Sequence, residues 1–194
     1  MTGADDKRER AGMRLQFAHF GLHATDMDRM ERFYRQVLRL FVTDRGSFVR
    51  NGVTTDIVFL SADPDEHHQI ILASGRPAEP TFNPINQISF KVDTLEALQA
   101  FHRRYCDDGG DQGDMVCHGN SLSLYLPDPE GNRVEVYWPT PWYVPQPLVE
   151  AIDLTLPTDE LLDLVETKAR SLPGFRSQAE WRAETAAQMA GGQS

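Results

Sequence analysis

Two cysteines, Cys106 and Cys117, are all that the 194 residues contain. They cannot build a disulfide framework, so the fold must rest on its core. Basic charge is scarce as well: 19 lysines and arginines stand against 29 aspartates and glutamates, for a formal net charge of −10. A nucleic-acid binder presents a basic face, and this composition argues against one. No apolar run reaches the length needed to span a bilayer, so no membrane contact is expected. Residues 1–10 are polar and charged, without the apolar segment of a secretory signal. What remains is an acidic chain, 40% apolar and 25% charged, expected in the cytoplasm and large enough to bury a real core as one ordinary globular domain.

Patterning along the chain is more informative. Residues 1–13 are rich in charge and read as a disordered tail. Leu15 to Ala24 reads as a strand, after which Asp26 caps a helix carrying Met27, Met30, Phe33, Tyr34, Val37 and Leu38 at helical spacing. Strands around Phe48–Val49 and Asp56–Leu60 flank the turn signal Asn51-Gly52, and Gln69 to Ala73 forms another. The order β-α-β-β-β then begins again. Ile85 to Val92 is a strand, and Asp93 or Thr94 caps a helix with Leu95, Leu98, Phe101 and Tyr105. Strands follow at Met115–Cys117, Leu122–Leu126 and Arg133–Tyr137, the last two joined by the turn Asp128-Pro129-Glu130-Gly131-Asn132. A shift of 68 positions lays Met27 on Leu95, Met30 on Leu98, Phe33 on Phe101 and Leu22 on Phe90. The match is in pattern and points to an internal duplication. The same shift lays His19 on Gln87. Beyond Trp138, prolines at 139, 141, 145 and 147 predict an extended strap; helices are expected from a Thr158 cap and over 178–189.

Several polar residues need a reason to be where they are. His19 falls among Phe17, Phe20 and Leu22 in the first strand, either as a metal ligand or as a core histidine bonded to backbone. Glu135 interrupts the apolar run Val134-Glu135-Val136, where a carboxylate is costly unless it meets a cation or faces outward beside Arg133 or Lys91. Gln87 is a strand residue hydrogen-bonded across a sheet or a weak oxygen ligand. His67 and His68 open a strand and are expected on opposite faces, one of them toward the interior of His19. Tyr125 and Glu135 lie ten residues apart across a tight hairpin and are expected close together.

The duplicated unit resembles the vicinal oxygen chelate superfamily. The stretch from His19 to Met27, with Phe33-Tyr34 and Leu38, looks like its opening strand and helix; the stretch from Asp128 to Val136 looks like its closing hairpin. The resemblance covers about residues 14–148. It implies an α+β fold in which two βαβββ modules, 14–74 and 85–138, form a half-barrel, with a C-terminal helical extension over 149–194. The pair His67-His68, the run His118-Gly119-Asn120, and Tyr125 ahead of Glu135 point within that superfamily toward the type I extradiol dioxygenases.

Such a resemblance implies a metal held by His19, Gln87 and Glu135, with His68 as acid/base and Tyr125 and His118 near the bound diol. Phe17 and Trp138, with Phe82 and Trp142, would supply apolar walls. It implies a divalent metal, iron(II) first, with manganese, nickel or zinc as the other candidates. It also implies a catechol-like aromatic diol and O2 as partners, and pairing of chains into a homo-oligomer. Gln87 departs from the pattern, since those dioxygenases carry histidine there. A glutamine ligand is found in glyoxalase-like lyases, so a lyase or isomerase with a non-redox metal stays open. So do a metal enzyme with altered oxygen chemistry and a metal-free module that sequesters a small aromatic or drug.

Overall fold

The computed structural model describes residues 17–50, 52–79, 83 and 85–191. The tail expected over 1–13, the first residues of the expected opening strand, and Phe82 lie outside them. The chain divides into two compact units, residues 1–80 and 81–194.

The first unit runs β1 (Phe20–Ala24), α1 (Met27–Gln36), β2 (Phe41–Arg50), β3 (Val53–Ser61) and β4 (Ile70–Ser74). Its sheet has the order β1-β4-β3-β2, with β1 and β4 parallel and the other pairs antiparallel. Asp26 does cap the helix: its side chain accepts from Arg29 N at 2.9 Å. Met30 and Tyr34, one turn apart, are fully buried, as are Leu60, Leu72 and Ala24 on the strands. Each large apolar side chain so removed from water contributes roughly 1.5–3 kcal/mol. The hairpin of β2 and β3 is longer than the apolar pattern predicts, turning at Gly52 with φ +79°.

The second unit repeats the thread: β5 (Ile88–Lys91), α2 (Leu95–Asp107), β6 (Asp114–Cys117), β7 (Ser121–Pro127) and β8 (Arg133–Pro139). Its sheet order is β5-β8-β7-β6 with a short β10 (Glu150–Ala151) added at the β6 edge, and β5 and β8 are parallel. Thr94, not Asp93, caps α2 by accepting from Ala97 N. The turn between β7 and β8 is closed by Asp128, whose carboxylate accepts from Glu130 N, Asn132 N and Asn132 Nδ2. Leu122, Leu124, Leu126, Val134 and Val136 fill one face of this sheet together with Leu98 and Phe101 of α2.

The extension packs into this second unit. It contains β9 (Trp142–Tyr143), α3 (Thr158–Arg170), β11 (Arg176–Ser177) and α4 (Gln178–Gly191). Leu161, Val165 and Ala169 bury the inner stripe of α3. Gln99 of α2 ties the extension down, donating to the carbonyls of Leu154 and Leu156 and accepting from Thr158 Oγ1 at 2.6 Å. Thr158 is therefore not a cap. The N-cap position is Pro157, and the Thr158 hydroxyl serves the tertiary contact instead. Among the described residues, no helix is long and apolar enough to cross a membrane.

Candidate functional site

In the second unit the candidate residues converge on one carboxylate. Glu135 lies on β8 between two neighbouring strands, and the register puts Ser89 of β5 and Tyr125 of β7 directly beside it. Both hydroxyls donate to it: Ser89 Oγ to Oε2 at 2.5 Å and Tyr125 OH to Oε1 at 2.8 Å. Gln87, just before β5, shares this face through strand alternation. Its Nε2 donates to Glu135 Oε2 at 2.9 Å and to Ser89 Oγ at 3.0 Å. His118 Nε2 lies 2.9 Å from the Tyr125 hydroxyl.

Glu135 is only 6% exposed. The outward pairing with Arg133 is not what the chain adopts: that guanidinium lies over the Tyr125 ring, 3.7 Å from its centre. The Tyr125 hydroxyl is pushed up to about 12, first by burial and then by its bond to the Glu135 carboxylate, with Arg133 opposing. It is a permanent hydrogen-bond donor across the working pH range.

In the first unit His19 precedes β1 rather than lying within it, and is exposed. Its ring centre is 4.2 Å from that of His68. The His67-His68 pair corrects the expectation of opposite faces. The strand starts later, at Ile70, because Gln69 is used to close the preceding loop, its side chain accepting from Ala62 N and its own N–H donating to Leu60 O. The two imidazoles meet through Nδ1 atoms 2.8 Å apart, and both pack on Phe59. The His68 imidazole is held below its ordinary value by burial and by the neighbouring His19 and His67, so its neutral form is favoured.

The candidate walls fare differently. Phe17 is 84% exposed. Trp138 pairs with Leu122 in the register, on the face opposite Glu135, so it does not line this side of the sheet. Tyr137 holds the corresponding place. Trp142 is buried in the extension with Phe175 nearby. Sequence reasoning missed Ser89: a serine two residues after Gln87 carries the alternation signal, but only the parallel register of β5 on β8 brings it to Glu135.

The donor set suits a divalent cation. A buried carboxylate has no cationic partner among the described residues, and Gln87 turns its amide nitrogen to it, so a cation there would take the Gln87 oxygen by rotation of the amide. Among the described residues, no three His, Cys, Asp or Glu side chains form a metal-binding group; a site on Glu135 needs the Gln87 oxygen.

A family model matches residues 16–136, that of the glyoxalase/bleomycin resistance protein/dioxygenase superfamily. The chain belongs to this superfamily. Every candidate ligand and acid/base residue lies inside the matched stretch, whereas the strap after Pro139 lies beyond it. The chain is 28% identical over 125 residues to biphenyl-2,3-diol 1,2-dioxygenase 2 of Rhodococcus globerulus, covering 62% of this chain and 61% of that one. Against biphenyl-2,3-diol 1,2-dioxygenase 3 of the same organism it is 29% identical over 126 residues, with 62% of each covered. The chain thus spans about three fifths of the length of these curated relatives. A glyoxylase/bleomycin resistance protein/dioxygenase domain from Frankia sp. EAN1pec has the same fold, with a TM-score of 0.51 at 18% identity, covering 66% of this chain and 94% of that one.

Proposed function

We propose that the chain is an extradiol-type dioxygenase that opens the ring of a catechol-like aromatic diol with iron(II) and O2. The observation that carries this reading is the Glu135 carboxylate, buried, clamped by Ser89, Gln87 and Tyr125, and paired with no cation among the described residues. Similarity to two biphenyl-2,3-diol dioxygenases supports the reaction class. His19, Gln87 and Glu135 are the proposed ligands. Iron(II), when bound, would supply Lewis acidity toward the diol oxygens and redox chemistry toward O2.

The chain's own side chains do the rest. Ser89 and Tyr125 hold both carboxylate oxygens of Glu135 in place, as outer partners of a ligand do. Tyr125, kept protonated, keeps its O–H on Glu135 Oε1 and so fixes the aim of that carboxylate. His68, kept neutral, takes a proton from a diol hydroxyl at a ring nitrogen.

The test is metal content of protein purified without chelator and reloaded with iron(II) anaerobically, followed by an oxygen electrode with simple catechols. The expected result is about one iron per chain and catechol-dependent oxygen uptake. Gln87 favours a second reading, a lyase or isomerase in which a neutral oxygen ligand serves a non-redox metal. Preference for zinc, nickel or manganese, with turnover that needs no oxygen, would establish it. No stoichiometric metal under either treatment leaves a binding module for a small aromatic, whose affinity Glu135→Gln would not change.

A further inference from the structure

The strap that follows β8 is stitched to the three-residue turn carrying His118. Thr140 Oγ1 donates to Gly119 O at 2.8 Å, and Val144 N donates to Asn120 Oδ1 at 2.7 Å. Gln146 Nε2 donates to the backbone oxygen of His118 at 2.5 Å, while its Oε1 accepts from Leu148 N at 3.2 Å. The fit is close enough to dictate a residue. Gly119 has φ +74°, and a β-carbon there would stand 2.1 Å from Val144 Cγ2 and 2.9 Å from Leu148 Cδ2. The last stitch reaches the imidazole itself, for His118 Nδ1 lies 2.8 Å from Leu148 O.

A carbonyl oxygen can only accept, so that contact requires the proton on Nδ1. Nε2 is the atom that faces the Tyr125 hydroxyl. Tyr125 has one proton, which it gives to Glu135 Oε1, and its oxygen is the atom turned to His118 Nε2. We propose that the strap is a positioning element of the site. By clamping the backbone of His118 and presenting Leu148 O to its ring, Gln146 holds a proton on His118 Nδ1 and keeps Nε2 turned to Tyr125. Gln146 touches no candidate ligand and acts through His118. The strap residues lie beyond the family match, and the inference rests on the proposed function only where it links His118 to turnover.

The first test needs neither metal nor substrate. Ring-nitrogen shifts of His118 are read by NMR in the 15N-labelled full chain, at about pH 8, where an ordinary imidazole is neutral. Nδ1–H is expected, and a dominant Nε2–H form overturns the proposal. Gln146→Ala should move the His118 population toward Nε2–H while leaving the His19, His67 and His68 signals in place. Gln146→Glu, which keeps the length but loses the donor, should do the same. An unchanged tautomer in both variants overturns the part given to Gln146.

In iron-loaded protein the Gln146 variants should lower kcat about tenfold for a catechol with KM nearly unchanged, the pattern of an interaction made in the transition state. A shifted tautomer in a chain that turns over no diol with any metal would sustain the strap's role and refute the dioxygenase reading, so the two failures are distinguishable.

Discussion

The two units follow the same thread and the same strand order, yet hold their candidate residues in opposite ways. In the first, His19, His67 and His68 meet ring against ring near the surface and lean on Phe59. In the second, Gln87, Ser89 and Tyr125 are locked around one buried carboxylate by short hydrogen bonds. The difference lies in what each half must do. A buried carboxylate is tolerated only when its lone pairs are satisfied, so its aim is built into the sheet. Imidazoles at a surface need no such satisfaction to be tolerated.

That contrast can be broken at Glu135. Glu135→Ala strands three donors at once and should lower unfolding stability by about 1–3 kcal/mol. His19→Ala should stay within about 0.5 kcal/mol, as surface changes do. Urea titration of both variants measures the gap, and equal losses would refute the contrast. On the metal side, Glu135→Gln should weaken binding of iron(II) by about a hundredfold, whereas Gln87→His, which exchanges a neutral oxygen for an imidazole, should tighten it about tenfold. Isothermal titration reads both.

A smaller effect belongs to Tyr125. With its folded value raised to about 12 from an ordinary 10, its contribution to stability is complete below pH 10 and is lost as pH climbs through about 12. Ultraviolet titration of the phenol should show this late ionisation, and Glu135→Gln should bring it earlier. Smallest is the response of His68. Because its folded value lies below the ordinary 6.5, its contribution is complete above pH 6.5 and fades as pH falls through the lowered value. Proton NMR should place the His68 midpoint below 6.5, and His67→Ala should move it upward.

What could be read in advance was what is written locally. Asp26 before an amphipathic run, the Asp128–Asn132 turn and the repeated β-α-β-β-β order carry their own signals in adjacent residues, and each is found. The approach of Tyr125 to Glu135 followed from hairpin arithmetic. Trp138 was misplaced although period two alone sets it opposite Glu135. The orientation of His67 and His68 depended on where β4 begins, which Gln69 settles through a bond to a loop seven residues away. Ser89 depends on a parallel pairing that no local pattern states, and Gln146 on a contact 28 residues back in the chain.

The parallel pairing has one more consequence, in time rather than in space. In each unit the first strand's neighbour is the last strand of its thread, so Phe20 waits for Ile70 and Ile88 waits for Val134. Neither sheet can close by hairpins alone, and each must await its own most distant contact, the slow kind of closure. On a ribosome the first sheet acquires all its strands well before the second has emerged, so the early half is formed before the carboxylate of the later half exists.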